Sequence, residues 1–269
     1  MTNHIPELKN FRWVVINSSG GKDSQTALTE VVKEADRQGY PRNQIVVSHQ
    51  DLGKVEWEGT FDLVKKQAEF YGLRVEVTRY RNKDGEELNL LDYVAKRGKW
   101  PSSKQRYCTS DFKRGPGSRV ITMLFKEAPG DIINVFGFRA EESAARSKKE
   151  EWVLNSRLST LKRNVYDWLP IHNMLEAEVW KLIKESGVPY HHAYDLGMPR
   201  LSCCFCIFAP KAALMIAGQA NPELLDEYCK VEADIGHTFK SDMALSEIRD
   251  ALARGEKAGK CGGGGCWNM

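Results

Sequence analysis

Short apolar runs alternate with helical periodicities over the first two thirds of the chain. Trp13–Asn17 is an apolar run that enters a Ser/Gly turn, and behind it Ala27, Leu28, Val31, Val32 and Ala35 recur at helical spacing within Asp23–Gln38. The pattern predicts strand, loop, helix, and it repeats. Gln44–Ser48 predicts a second strand, Phe61–Tyr71 an amphipathic helix stopped by Gly72, and Arg74–Thr78 a third strand, with a turn at Asn82-Lys83-Asp84-Gly85. Ile132–Phe136 predicts a buried strand and Ala140–Lys149 a helix after it, while Val165–Ile171 leads into a helix over Glu176–Ser186. Such alternation builds parallel βαβ units, so the expected fold class is α/β with a doubly wound parallel sheet whose ligand site lies at the carboxyl ends of the strands. From Val188 to Met269 the texture changes to cysteines, prolines and helical segments without evident strands. The expected division is a domain over residues 1–187 and a cysteine-rich, mostly helical region over 188–269, ending in a flexible tail through the tetraglycine between Cys261 and Cys266.

The turn after the first strand carries chemistry. Ser18-Ser19-Gly20-Gly21-Lys22-Asp23-Ser24 stands between a strand and the amino end of a helix. There, paired glycines let the backbone approach an anion, the helix offers N–H groups and positive dipole, and Lys22 adds a full charge. Pyrophosphate is the natural guest. The spacing is too short for the G-x-x-x-x-G-K-[ST] phosphate loop, and a solvated turn capped by Asp23 or Ser24 is the plainer alternative. Further on, Arg139 and Arg146 stand seven apart around Glu142, so a single helical face would present two guanidiniums with a carboxylate between them, suited to a polyphosphate or simply to solvent.

Composition narrows the picture only in places. A formal net charge of +3 on 269 residues is too mild to require a nucleic-acid partner. Met1–Asn10 has no apolar core and no later run is long enough to span a bilayer, so a soluble, cytoplasmic protein with no membrane partner is expected. Seven cysteines in such a chain point to ligation or catalysis ahead of a disulfide framework. Cys203 and Cys206 form a C-x-x-C with Cys204 between them, and Cys108 lies far upstream; the set suits a metal centre, zinc included, or a redox pair, with Cys204 and Cys229 equally at home in a core. Lys96, Arg97, Lys99, Lys104, Arg106, Lys113, Arg114 and Arg119, with Trp100 and Tyr107 among them, form a basic segment fit for a nucleic-acid strand, for substrate phosphates, or for water. His172, His191 and His192 have no ligand-like spacing and are read as packing residues.

Taken in order, these segments resemble the PP-loop ATP pyrophosphatases, on the branch that holds the phosphoadenosine phosphosulfate (PAPS) reductases and the ATP-dependent DNA phosphorothioation enzymes. The likeness runs through Phe208: Ser19–Ser24, His49-Gln50-Asp51-Leu52-Gly53, Gly137 through Arg146 (G-x-R-x-x-E-S-x-x-R), Pro170-Ile171 through Trp180, and Tyr194 through Cys206 (Y-D-x-G-x-x-R-x-x-C-x-x-C). The resemblance implies an adenine nucleotide α-hydrolase-like, Rossmann-like domain over 1–187 that binds ATP and Mg2+. Ser18, Ser19, Gly20, Gly21, Lys22, Asp23, Ser24, His49, Asp51, Gly137, Arg139, Glu142, Ser143 and Arg146 would surround the nucleotide; Lys22, Asp23 and Arg139 would be catalytic, and Asp23 and Asp51 would hold the metal.

It further implies a [4Fe-4S] cluster on Cys108, Cys203 and Cys206, the fourth position falling to Cys204, to Cys229 or to an external sulfur. The implied reaction is cleavage of ATP to AMP and pyrophosphate to activate an acceptor for sulfur transfer. A sulfur-donor protein such as a cysteine desulfurase and a DNA or RNA substrate would be its partners, and a homo-oligomer is expected. The alternatives are a sulfonucleotide reductase that releases sulfite and a non-catalytic nucleic-acid-binding or redox-sensing protein. Against the reductase, the loop has the full Gly-Gly-Lys-Asp-Ser, suited to a triphosphate and its metal. Lys260-Cys261-Gly262 resembles the mobile Glu-Cys-Gly terminus of PAPS reductases, with lysine in place of the acid and a second thiol at Cys266.

Overall fold

β1 (Trp13–Asn17) is buried from Trp13 through Ile16 and delivers the chain to α1 (Lys22–Gln38), whose Ala27, Leu28, Val31, Val32 and Ala35 are all buried, as their spacing predicts. The structure, a computed structural model, describes residues 4–259; the expectations at Cys261 and Cys266 lie outside the described residues. β2 (Ile45–Asp51), α2 (Thr60–Phe70) and β3 (Arg74–Arg79) repeat the first unit. α3 (Leu90–Arg97), the single turn α4 (Tyr107–Thr109) and α5 (Gly115–Glu127) then precede β4 (Ile132–Val135). α6 (Ala144–Ser147), β5 (Trp152–Leu154), β6 (Val165–Trp168) and α7 (Glu176–Ser186) follow. The described chain closes on α8 (Lys211–Ala220), α9 (Pro222–Ile235) and α10 (Leu245–Ala253).

Two compact units emerge, and neither is continuous in sequence: Met1–Gln50, Gly59–Thr78 and Pro116–His191 form one, Asp51–Glu58, Arg79–Gly115 and His192–Met269 the other. A single cut along the chain does not reproduce this division. In the first unit the six-stranded sheet has the order β3-β2-β1-β4-β6-β5. β1 is parallel to both β2 and β4, β4 is parallel to β6, and β5 is an antiparallel edge. Side chains alternate across it: Val14, Ile16, Ile133 and Val135 pack with Leu28, Val31, Val64 and Ala68 of α1 and α2, whereas Trp13, Val15, Val46 and Ile132 pack with Val120, Ile121 and Leu124 of α5. The chain moves outward from β1 to β2 and β3, then returns to β4 on the other side of β1. The gap between the carboxyl ends of β1 and β4 is therefore the topological switch point, where open α/β sheets hold ligands.

The second unit is helical, built on α3, α4 and α8–α10. Trp100 stacks on Tyr228 (centroids 5.4 Å apart, planes at 12°), and its Nε1 donates to the His237 carbonyl at 2.9 Å. Buried Glu232 on α9 accepts the amides of Phe239 (2.5 Å) and Leu245 (2.9 Å), tying α9 to the start of α10. Glu232→Ala would leave two amides without this acceptor, and is expected to lower stability by about 3 kcal/mol in chemical denaturation, with Glu232→Gln between the two.

One segment departs from the sequence reading, and two elements lie outside it. Ala140–Lys149 is not one helix: a 3-10 turn at Ala140–Glu142 gives way to extended Ser143, whose hydroxyl then caps Arg146 and starts α6. Gly115-Pro116-Gly117 opens α5, because a π-helical turn at Ser110–Arg114 leads into it and the Gly115 N–H donates to the Ser110 carbonyl five residues back. β5 is only three residues long, Trp152-Val153-Leu154, and two of them are exposed, so its apolar run is too short to announce a strand.

Candidate functional site

The loop after β1 is shaped by its own side chains. Gly20 adopts φ +72°, a left-handed conformation that favours glycine, and its N–H donates to Ser18 Oγ at 3.3 Å. Ser19 N–H reaches Ser24 Oγ at 3.3 Å, and Ser24 Oγ–H donates to the Gly21 carbonyl at 2.9 Å. Gly21 is the N-cap of α1 and makes no side-chain capping bond, and the positive end of the helix faces the loop. His49, 1% exposed, stacks on Phe61, and its Nδ1 lies 2.9 Å from the Ser18 carbonyl, which makes Nδ1 the protonated nitrogen. His49 thus fixes the entry to the loop.

Lys22 is 3% exposed, with Nζ 3.6 Å from Asp23 Oδ2 and 3.4 Å from Glu176 Oε1. Arg139, equally buried, reaches Asp23 Oδ1 through Nε at 2.6 Å and Glu141 through Nη1 at 2.5 Å. Burial works against the Arg139 charge, yet Asp23 and Glu141 more than offset it and hold the guanidinium above its usual pKa. The contact depends on Gly137. Its Cα stands so close to the first turn of α1 that a Cβ would lie 2.5 Å from the Asp23 carbonyl oxygen. Glu142 accepts the Arg139 amide at 2.9 Å and pairs with Arg146, whose guanidinium also lies over the Phe138 ring at 4.4 Å. The two arginines therefore serve different partners and do not share one helical face, because the chain is extended at Ser143 between them.

Ser18, Ser19, Gly20, Gly21, Lys22, Asp23, Ser24, His49, Gly137, Arg139, Glu142, Ser143 and Arg146 all fall in the sheet unit. Asp51, at the end of β2, falls in the other. It accepts the Gly53 amide at 2.7 Å and pairs with Arg79 at 2.7 Å. Asp23 and Asp51 thus each hold a guanidinium already. Glu141 and Glu176 are partners of the loop that the sequence reading did not name. The one local signal was their position: each stands in the first turn of a helical segment, Glu176 at the start of α7.

Cys108, Cys203 and Cys206 come together in the helical unit, half-buried against an apolar cluster that includes Phe112, Phe205 and Tyr228. Burial raises the Cys108 thiol and, more strongly, that of Cys203; Lys113 opposes the rise, while Cys206 adds to it in both. Fully buried Cys204 is pushed up to about 12 by burial, and Cys229 to about 11. Among the described residues no three of the Cys, His, Asp and Glu side chains close into a set that could hold a metal ion. The aromatic residues of the basic segment are not available to bases: Trp100 and Tyr107 are core residues, the latter donating its hydroxyl to the Lys99 carbonyl at 2.6 Å. All eight cations of that segment are exposed.

The raised thiols have a measurable consequence. They are neutral in the folded chain but ionise near pH 8.5 when unfolded, so their contribution to stability is complete below that pH and is lost as pH climbs toward the folded values. For Cys204 the loss is about 2 kcal/mol by pH 10. Denaturation midpoints are expected to fall between pH 8.5 and 10.5, and Cys204→Ala to flatten that fall.

Sheet order, switch point and loop together define a class: this is a PP-loop nucleotide-binding fold. The chain belongs to the phosphoadenosine phosphosulfate reductase domain family, which matches residues 13–209. An uncharacterized protein of Methanocaldococcus jannaschii is 27% identical over 230 residues, 85% of this chain and 50% of that protein, so the chain spans about half the length of this curated relative. The PAPS reductase of Candida auris, solved with phosphate, superposes with a TM-score of 0.49 at 20% identity over 73% of this chain and 83% of that one. The U34-tRNA thiolase of Methanococcus maripaludis, solved with its [4Fe-4S] cluster, gives 0.46 at 15% identity over 94% and 74%. No helix among the described residues is long and apolar enough to cross a membrane.

Proposed function

We propose that the chain is an ATP pyrophosphatase that activates an acceptor for sulfur transfer. The observation that carries this reading is Lys22, a cation buried at the amino end of α1 behind a left-handed glycine turn. Asp23 and Glu176 meet this ammonium at 3.6 and 3.4 Å, longer than a short ion pair, and a pyrophosphate group at the start of the helix would bring it a stronger anion. In the proposed reaction an acceptor oxygen attacks the α-phosphorus, the bond to the bridging oxygen breaks, and pyrophosphate leaves with the electron pair. Lys22 and the amides at the start of α1 stabilise the charge that grows on the leaving group, and Arg139, held by Asp23 and Glu141, supplies a second preorganised cation. Sulfur then displaces AMP from the adenylated acceptor. Magnesium would enter with the triphosphate, and Asp23 is the carboxylate of the loop proposed to meet it.

Cys108, Cys203 and Cys206 carry the thiols that an iron-sulfur centre would use and share one apolar environment; as placed they do not close into a metal-holding set, so ligation would have to draw them together, and it would release protons from the raised Cys108 and Cys203 thiols. When bound, such a centre would present sulfur or electrons to the acceptor. Cys204, buried in the core, is left out of this ligand set. A sulfur-donor protein such as a cysteine desulfurase is the proposed partner, and a DNA or RNA strand, held by exposed cations alone, is the proposed acceptor class.

The test is anaerobic purification with iron and sulfide quantitation, followed by assay of AMP and pyrophosphate from ATP with nucleic acid and sulfide present. AMP with stoichiometric pyrophosphate supports the reading. Sulfite from PAPS, with no AMP from ATP, would replace it with sulfonucleotide reduction.

A further inference from the structure

Five charged residues around the phosphate loop close into a ring. Glu141 takes Arg139 Nη1 at 2.5 Å, and Arg139 Nε reaches Asp23 at 2.6 Å. Asp23 lies 3.6 Å from Lys22 Nζ, and Lys22 Nζ lies 3.4 Å from Glu176. The Glu176 amide returns to Glu141 at 2.9 Å. Three carboxylates against two cations leave one formal negative charge, an arrangement that repels the polyanion the loop is shaped to hold.

The carboxylates are not held alike. Asp23 follows Lys22 on α1 and is locked by Arg139 at 2.6 Å; Glu141 is locked by the same guanidinium and by the Glu176 amide. The Glu176 carboxylate reaches Lys22 through a 3.4 Å contact, from a side chain 38% exposed at the first position of α7. It can swing into water without breaking a short bond, and its helix need not move.

We propose that Glu176 is the counter-ion of Lys22 in the ligand-free protein and that incoming phosphate displaces it, so that Glu176 sets how much negative charge a ligand must bring. This rests on the reading of the loop as a pyrophosphate site. A ligand with two or more phosphoryl groups outcompetes one carboxylate at Lys22, and orthophosphate does so poorly. The return of Glu176 to Lys22 also favours release of pyrophosphate.

Isothermal titration of the full chain with sodium pyrophosphate and with orthophosphate, free of divalent metal, tests this. Glu176→Gln keeps the side-chain shape and removes the competing charge. It is expected to bind pyrophosphate about tenfold more tightly, and to gain more than that for orthophosphate, so that discrimination between the two narrows. Glu178→Gln is the control, because Glu178 stands in the same helical turn but accepts the Leu175 amide at 2.6 Å; its affinity should match the parent's. Unchanged or weaker binding by Glu176→Gln, the result expected of a metal ligand or a purely structural residue, overturns the proposal while leaving the loop as a pyrophosphate site. Absence of saturable pyrophosphate binding by both parent and Glu176→Gln would defeat the underlying reading, and this one with it.

Discussion

Lys22→Ala is expected to slow formation of AMP and pyrophosphate from ATP by tens to hundreds of fold, the loss of a charge-assisted contact of about 1.5 to 3 kcal/mol in the transition state. The fold should survive. Asp23 keeps Arg139 as its partner, and Glu176 is exposed enough to turn to solvent, so no carboxylate is stranded in an apolar place. Thermal melting within a few degrees of the parent, together with slow turnover, would separate a chemical role from a structural one. Lys22→Arg should not rescue turnover, since a longer, planar guanidinium must fit where the ammonium is already 3% exposed. Pyrophosphate released at the parent's rate by Lys22→Ala would remove the loop from the mechanism.

Gly137→Ala is expected to be nearly as damaging by a different route. The new methyl would stand 2.5 Å from the Asp23 carbonyl oxygen, 2.6 Å from its carbon and 2.8 Å from the Ser24 nitrogen, all main-chain atoms of the first turn of α1. No flexible side chain can yield there. Either α1 retreats from the carboxyl end of β4 or β4 shifts, at a cost of about 2 to 3 kcal/mol by overpacking. Both movements also pull Arg139 away from Asp23, so pyrophosphate affinity should fall with stability. Denaturation and titration on the same preparation check the two together, and an alanine variant that melts and binds like the parent would show that the backbone approach at Gly137 is not needed.

The sheet was legible from the sequence because burial along a strand or an amphipathic helix is written locally. Trp13–Asn17 is apolar whatever its neighbours are, and Ala27, Leu28, Val31, Val32 and Ala35 mark the face of α1 by spacing alone. The loop was legible for the same reason, its glycines, lysine and flanking elements being contiguous. β5 was not legible: its place at the sheet edge comes from pairing with β6, and two of its three side chains are exposed. Nor was the opening of α5, which begins at glycine and proline and follows a π turn that has no periodic signal.

What the sequence determined by itself was the alternation of β1 to β4 and β6 with α1, α2 and α7, the Ser/Gly loop after the first strand, and the set of chemical groups present. Tertiary structure decided which of those groups meet. Asp23 and Arg139 are 116 residues apart, and either could have paired elsewhere among 36 acidic and 39 basic side chains. The same holds for Lys22 with Glu176, and for Cys108 with Cys203 and Cys206. It also decided against two local patterns: the extended chain at Ser143 separates Arg139 from Arg146, and the core takes Trp100 and Tyr107 out of the basic segment. The physical reason is that backbone preference and burial act between neighbours in sequence. A charge finds its partner only after the sheet and helices have brought distant segments together, and that choice leaves no periodic trace in the chain.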